Sequence, residues 1–224
     1  MDMLSSWDET KKRSKYHFDN QAYDPKYDTV IRLGRIKPNW TEQLNEFIEN
    51  SKSVTWRTRG DPNKPSRPEY ELNAEDYDLE RSGYGKDYEI TKLNWNIPDN
   101  LQKIADNFQL ENMMCRIHVQ HPGQVWNLHL DKLEKWCPES PNSVIRIMVQ
   151  LSDWEPGHFW SYGNFCFTGW KAGDVTTFDW QNVPHSTANA GHNPRVTFQI
   201  TGIITKHTKD FIQTLGSISE YEMR

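Results

Sequence analysis

From Met113 to Thr205 the sequence falls into short runs, several with alternating apolar and polar residues, separated by turn signals; no other feature limits the fold as much. The runs are Met114–Gln120, Gln124–Asp131, Ser143–Leu151, His158–Thr168, Asp174–Trp180, Val183–Ala188 and Arg195–Thr205. His121-Pro122-Gly123, Pro138 to Asn142, Glu155-Pro156-Gly157, Lys171-Ala172-Gly173 and Asn189 to Pro194 punctuate them. About seven strands at near-regular spacing predict an all-β sandwich or barrel.

Helical periodicity is confined to the flanks. Pro38 opens a predicted helix with Trp40, Leu44, Phe47 and Ile48 on one face. Pro98-Asp99 starts a second, with Leu101, Ile104, Ala105 and Phe108 inward, and Thr208 to Leu215 forms a last short one. A strand-like run, Thr29-Val30-Ile31-Arg32-Leu33, precedes the first helix. Residues 1–28 read as an irregular arm. Residues 57–89 read as a long loop, dense in charge, proline and glycine, and a loop of that length is either a functional lid or a solvated segment. The expected organisation is one structural domain. Its 1–112 part (arm, helices and loop) packs on a β core at 113–224 that ends in a helix.

The chain has 224 residues, of which 35% are hydrophobic, and it contains 10 Trp, 9 Phe and 9 Tyr. Disordered chains are aromatic-poor, so this composition predicts a packed core. No run of about 18 apolar residues occurs, which excludes a spanning helix. Met1 to Lys15 has basic residues but no apolar stretch after them, so no secretory signal is visible. Cys115, Cys137 and Cys166 are odd in number and lack CxxC spacing. That argues against a disulfide scaffold and for a reducing, cytoplasmic setting. A net charge of −5 gives no general pull toward nucleic acid. No HExxH, P-loop, GxSxG or GxGxxG context is present, which removes several enzyme classes.

Two strands carry residues with chemistry. In Val125 to Asp131 successive side chains alternate. Trp126, Leu128 and Leu130 share one face; Asn127, His129 and Asp131 share the other. An imidazole and a carboxylate two residues apart on one face can chelate one ion, or can simply form the polar outer face of an amphipathic strand. In Arg195 to Thr201 the faces are Val196, Phe198 and Ile200 against Arg195, Thr197, Gln199 and Thr201. Arg195 and Thr197 can together hold a carboxylate, or can face solvent at an edge. His185 lies between these strands. Arg116, His118 and Gln120, and likewise Arg146, Met148 and Gln150, read equally as pocket lining or as a polar face. His158, with no carboxylate at strand spacing, is set aside as a ligand.

As a set, His129-x-Asp131, 53 intervening residues, His185, nine more and Arg195-x-Thr197 resemble the Fe(II)/2-oxoglutarate-dependent oxygenase family. Ala172-Gly173-Asp174 is similar to that family's turn before the distal-histidine strand. His185 to Arg195, with Asn189 and Gly191 between, is similar to the same stretch in aspartyl/asparaginyl β-hydroxylases. That branch commonly lacks the carboxylate that Asp131 supplies here, and there is some resemblance to the prolyl hydroxylase-like branch as well. The resemblance covers about residues 113–204.

It implies a mainly β fold with flanking helices, built on a double-stranded β-helix (jelly-roll/cupin-like) core. It implies His129, Asp131 and His185 as ligands of Fe(II), a 2-His-1-carboxylate set that leaves coordination positions open. It implies Arg195 on the distal carboxylate of 2-oxoglutarate, Thr197 as accessory hydroxyl, and O2 as the oxidant. The implied activity is hydroxylation or oxidative demethylation of an amino-acid, peptide, protein or small-metabolite substrate. A carboxylate at 131 argues against halogenation, whose enzymes keep a small residue there. Two other readings stand beside it: a cupin-like metal-binding or interaction module without catalysis, and a zinc hydrolase on the same three residues. The first leaves a buried cationic fork unexplained, and the second lacks a general base.

Overall fold

The computed structural model describes residues 31–55 and 88–223, apart from Lys132, Glu134, Lys135 and Asn164. The expected arm, and all of the expected loop but Tyr88 and Glu89, lie outside the described residues. In chain order the elements are β1 (Ile31–Arg35), α1 (Leu44–Glu49), β2 (Lys52–Thr55), β3 (Glu89–Asn94), α2 (Asp99–Phe108), β4 (Glu111–Gln120) and β5 (Val125–His129). Then follow β6 (Val144–Gln150), β7 (His158–Tyr162), β8 (Phe165–Cys166), β9 (Asp174–Thr177), β10 (His185–Asn189), β11 (Arg195–Ile203) and α3 (Lys206–Ser217).

The strands form two antiparallel sheets, ordered β1-β9-β6-β11-β4-β3-β2 and β5-β10-β7-β8. From β4 onward the chain crosses between them: β4, β6, β9 and β11 lie in the large sheet, and β5, β7, β8 and β10 in the small one. This alternation is the double-stranded β-helix expected from the sequence. The fold is mainly β, with helices on one side.

Strand alternation explains the layers. On the outer face of the large sheet, Ile117, Val119, Ile147, Val149, Val175, Val196, Phe198 and Ile200 are buried under Phe47, Leu101, Ile104, Phe108 and Leu215 of the helices. Fully burying each large side chain of this kind stabilises by roughly 1.5–3 kcal/mol. Helix α2 buries the four residues its periodicity selects: Leu101, Ile104, Ala105 and Phe108. Helix α3 begins at a capping box, where Thr205 Oγ1 accepts from the Thr208 backbone at 3.1 Å and Thr208 Oγ1 accepts from the Thr205 backbone at 3.0 Å. It starts two residues before the expected Thr208, a start the sequence hides because threonine stands where this box usually has Glu or Gln.

Three local expectations are corrected. The run His158–Thr168 is not one strand: it turns at Gly163, with φ 53°, whose N–H bonds Pro184 O at 2.6 Å, and so splits into β7 and β8. The first helix starts later than Pro38, as a single tight turn at Thr41–Gln43 leading into α1. Strands β2 and β3, absent from the sequence reading, extend the large sheet beyond β4. In β3 the burial runs in pairs (Ile90 and Thr91, then Leu93 and Asn94), so no alternation marks it. Gly173 adopts φ 96°, and a Cβ there would strike the Ile36 carbonyl, so the turn into β9 requires glycine.

Candidate metal centre

The inner face of the large sheet carries many buried polar side chains, and aromatic residues such as Trp160 and Tyr162 of the small sheet meet them. His129 at the end of β5, Asp131 just beyond it and His185 at the start of β10 are all buried. Register brings them together, because His185 pairs directly with His129 across the small sheet. The candidate ligand atoms all lie within 4.8 Å of one another. His129 Nε2 is 3.6 Å from Asp131 Oδ1, and His185 Nε2 is 3.8 Å from Asp131 Oδ2. Donors bound at about 2.1 Å to one ion sit about 3.0–3.4 Å apart, so the three side chains close in by side-chain movement alone when an ion binds.

Both imidazoles are oriented for ligation. His129 Nδ1 donates to Asn127 O at 2.6 Å, and His185 Nδ1 donates to Val183 O at 3.0 Å. A ring nitrogen facing a carbonyl carries the proton, so in the neutral ring Nε2 keeps its lone pair. Each carbonyl comes from two residues upstream on the same chain, so the backbone itself selects the tautomer. The Trp126 ring stacks on His129 with centroids 5.6 Å apart rather than facing away from it, because β5 slips register against β10 between these residues; Trp180 meets His185 edge-on at 4.9 Å. The strand is not a polar-out amphipathic strand: His129 is 5% exposed, whereas Leu128 is 49% exposed.

Arg146 of β6 pairs with Asp131 through its Nη1. Its Nε donates to Thr201 Oγ1 at 3.1 Å, and its guanidinium carbon lies 5.2 Å from the Trp180 ring centroid. Burial, followed by the charge of Arg116, pushes its pKa well below the ordinary arginine value. The sequence placed Arg146 on a face shared with Met148 and Gln150. Nothing in one sequence tells such an arginine from a solvated one, and its contact with Asp131 spans two sheets.

Arg195 is buried at 5% exposure, with its guanidinium carbon 4.5 Å from the Trp160 ring centroid. Among the described residues nothing accepts from its buried Nε and Nη1. Desolvation pulls its pKa down to about 10, so it remains charged at neutral pH. The buried Tyr162 hydroxyl lies within Coulomb reach of Arg195 and beside Thr176; desolvation raises its pKa, and those two neighbours oppose the rise. Thr197 is also buried, but its hydroxyl donates to Gln150 Oε1 at 3.3 Å. Tyr162, within Coulomb reach of Arg195, and Thr176, beside Tyr162, are hydroxyls that the sequence did not single out. Their strands look like ordinary core.

The other weighed histidines separate cleanly. His158 accepts from the Glu155 N–H at 3.3 Å and donates to Asn193 O at 3.1 Å, so both ring nitrogens hold a loop. His118 faces inward and bonds Gln199 Oε1 through Nε2 at 3.0 Å. Gln120 Nε2 crosses to Thr187 Oγ1 on the small sheet at 3.2 Å. The three cysteines are free thiols, and no helix among the described residues is long and apolar enough to cross a membrane.

No protein-family model and no curated protein matches the chain in sequence. Solved structures resemble it in fold. The non-heme α-ketoglutarate-dependent epimerase SnoN from nogalamycin biosynthesis aligns over 80% of this chain and 79% of its own, with TM-score 0.49 and 10% identity. The viral collagen prolyl hydroxylase of Paramecium Bursaria Chlorella virus-1, in complex with 2OG, aligns over 80% of this chain and 98% of its own, with TM-score 0.45 and 11% identity. A Cupin 2 conserved barrel domain protein from Salinispora arenicola aligns over 55% of this chain and 84% of its own, with TM-score 0.33 and 10% identity.

Proposed function

We propose that the chain is an Fe(II)- and 2-oxoglutarate-dependent dioxygenase that hydroxylates or oxidatively demethylates a substrate C–H. The observation that carries this reading is a conjunction inside one barrel. Two imidazoles and a carboxylate converge in tautomers suited to a metal, and a buried arginine with two unaccepted N–H donors stands on the same interior surface. A hydrolytic zinc site would have no task for that arginine.

His129 Nε2, His185 Nε2 and Asp131 would hold the iron. Iron with 2-oxoglutarate supplies the oxidising chemistry: the oxoacid loses CO2 to become succinate, taking one atom of O2, while the other atom enters the substrate. The chain's own residues do the rest. Arg195 presents its fork to the distal carboxylate of 2-oxoglutarate, with the Tyr162 hydroxyl nearby. Thr197 serves the same carboxylate once its bond to Gln150 turns away. Arg146 fixes the orientation of Asp131, and Trp126 and Trp180 close the sides of the histidines against water. The large sheet's buried face keeps bulk solvent from the reacting bond.

Anaerobic Fe(II) titration, followed by succinate release across a screen of amino acids, peptides and nucleosides, tests the reading. One equivalent of iron and substrate-dependent succinate are expected. His129→Ala and His185→Ala should each lose stoichiometric iron and turnover; a variant that keeps full iron-dependent activity removes that residue from the ligand set. Iron binding with no succinate from any substrate would favour the non-catalytic module.

A further inference from the structure

Among the described residues the barrel interior holds more positive than negative charge. Arg146 and Arg195 are buried, and Arg116 has its Nε shut off from solvent. Asp131 is the one buried carboxylate among the described residues. On the oxygenase reading a divalent ion and the dianion 2-oxoglutarate cancel one another. Three guanidiniums then still face one carboxylate. Buried charge without a counter-ion is strongly unfavourable, so the loaded barrel calls for a further anion.

The surplus has a location. Arg195 stands opposite Gln120 at one end of the inner face of β11, whereas Arg116 stands opposite Gln199 and Arg146 opposite Thr201. These positions are four and six residues along β11 from Arg195, so the two ends of the strand present different arginines to the interior. A hydrogen-bonded chain holds the distant pair. Gln199 Oε1 accepts from Arg116 Nη2 at 3.3 Å and from His118 Nε2 at 3.0 Å, and Gln199 Nε2 donates to Thr201 Oγ1 at 3.1 Å. Thr201 Oγ1 also accepts from Arg146 Nε at 3.1 Å. With both donors on its oxygen, the Gln199 amide has one orientation. Burial and the three guanidiniums keep His118 neutral, so it adds no charge. Among the described residues nothing accepts from Arg116 Nε. Arg116 therefore presents a fixed, half-used fork inside the barrel.

We propose that Arg116, with Arg146 beside it, binds a compact oxyanion of the prime substrate, a carboxylate or a phosphate. Guanidinium forks match both groups. Arg146 also touches Asp131, so the anion sits close to the metal centre. The substrate class is then a small carboxylic acid, an amino acid or a phosphate ester, oxidised at a carbon near its anionic group. The word substrate rests on the oxygenase reading; the anion site does not.

The test uses the full chain loaded anaerobically with Mn(II) and 2-oxoglutarate, so that binding is read without turnover. Thermal midpoints are taken in inorganic phosphate and in acetate against chloride of equal ionic strength. At least one anion should raise the wild-type midpoint, and which one does so names the group. Arg116→Gln should weaken that effect tenfold or more, Arg116→Lys should fall between, and Arg195→Lys should keep it. No rise in the wild type, a rise unaffected by Arg116→Gln, or a rise lost only with Arg195→Lys overturns the proposal. In chloride, relief of surplus charge predicts an Arg116→Gln midpoint at or above the wild type; a lower midpoint, or a chain that fails to fold, makes Arg116 structural and also overturns it. Failure of the oxygenase reading looks different: 2-oxoglutarate would not bind the wild type, while an Arg116-dependent phosphate effect would persist in metal-free protein.

Discussion

The two faces of the large sheet are made by the same strands and follow opposite rules. On β11, Val196, Phe198 and Ile200 face the helices, while Arg195, Thr197, Gln199 and Thr201 face the small sheet, and all seven are buried. The helix-covered face gains its stability from apolar area removed from water. The inner face gains little in that way: its arginines are desolvated, and its bonds replace bonds to water at small net profit. The division separates a face that carries the fold from one that gathers the buried polar groups of the candidate site.

The largest effect should come from the outer face. Phe198→Ala leaves a cavity beneath α2 and should cost about 3–5 kcal/mol in chemical denaturation. The fraction that remains folded should still bind one equivalent of iron. A loss below about 1 kcal/mol, or a lost iron site in folded protein, would break the proposed division of labour.

A smaller effect is expected inside. Arg195→Lys keeps the charge and loses the fork, so 2-oxoglutarate should bind about tenfold more weakly or worse, since a charge-assisted hydrogen bond contributes roughly 1.5–3 kcal/mol. Iron affinity should survive, because Arg195 is not in the ligand set. Thr197→Val should shift 2-oxoglutarate in the same direction by less, as its hydroxyl is already engaged with Gln150. Unchanged dependence on 2-oxoglutarate in Arg195→Lys would take the cosubstrate away from this end of β11.

The smallest effect is in pH. His118 and His158 have pKa values below 6.5 in the fold, chiefly through burial. The unfolded chain therefore binds more protons than the folded one once the pH drops under that value. Stability should be complete above it and fall as pH decreases toward the folded-state values, by on the order of 1 kcal/mol for a histidine that stays neutral throughout. Denaturation at pH 7.5 and 5.5 measures the difference. His118→Gln should reduce it, and an equal loss in that variant would remove His118 as a source.

The sequence by itself determined the strand rhythm from 113 onward, the buried stripe of α2 and the joint spacing of His129, Asp131, His185, Arg195 and Thr197. These are local or periodic signals: a side chain two residues on lies on the same strand face, wherever the strand ends up. What it could not decide was which face of a strand is inside. Leu128 and His129 are neighbours, and only the packing of the small sheet over the large one turned the histidine inward. The pairing of Arg146 with Asp131, the approach of Tyr162 to Arg195, and the Arg116–Gln199–Thr201–Arg146 chain each join strands distant in sequence. Such contacts depend on sheet register and on the spacing between sheets, and those exist only once the barrel has closed.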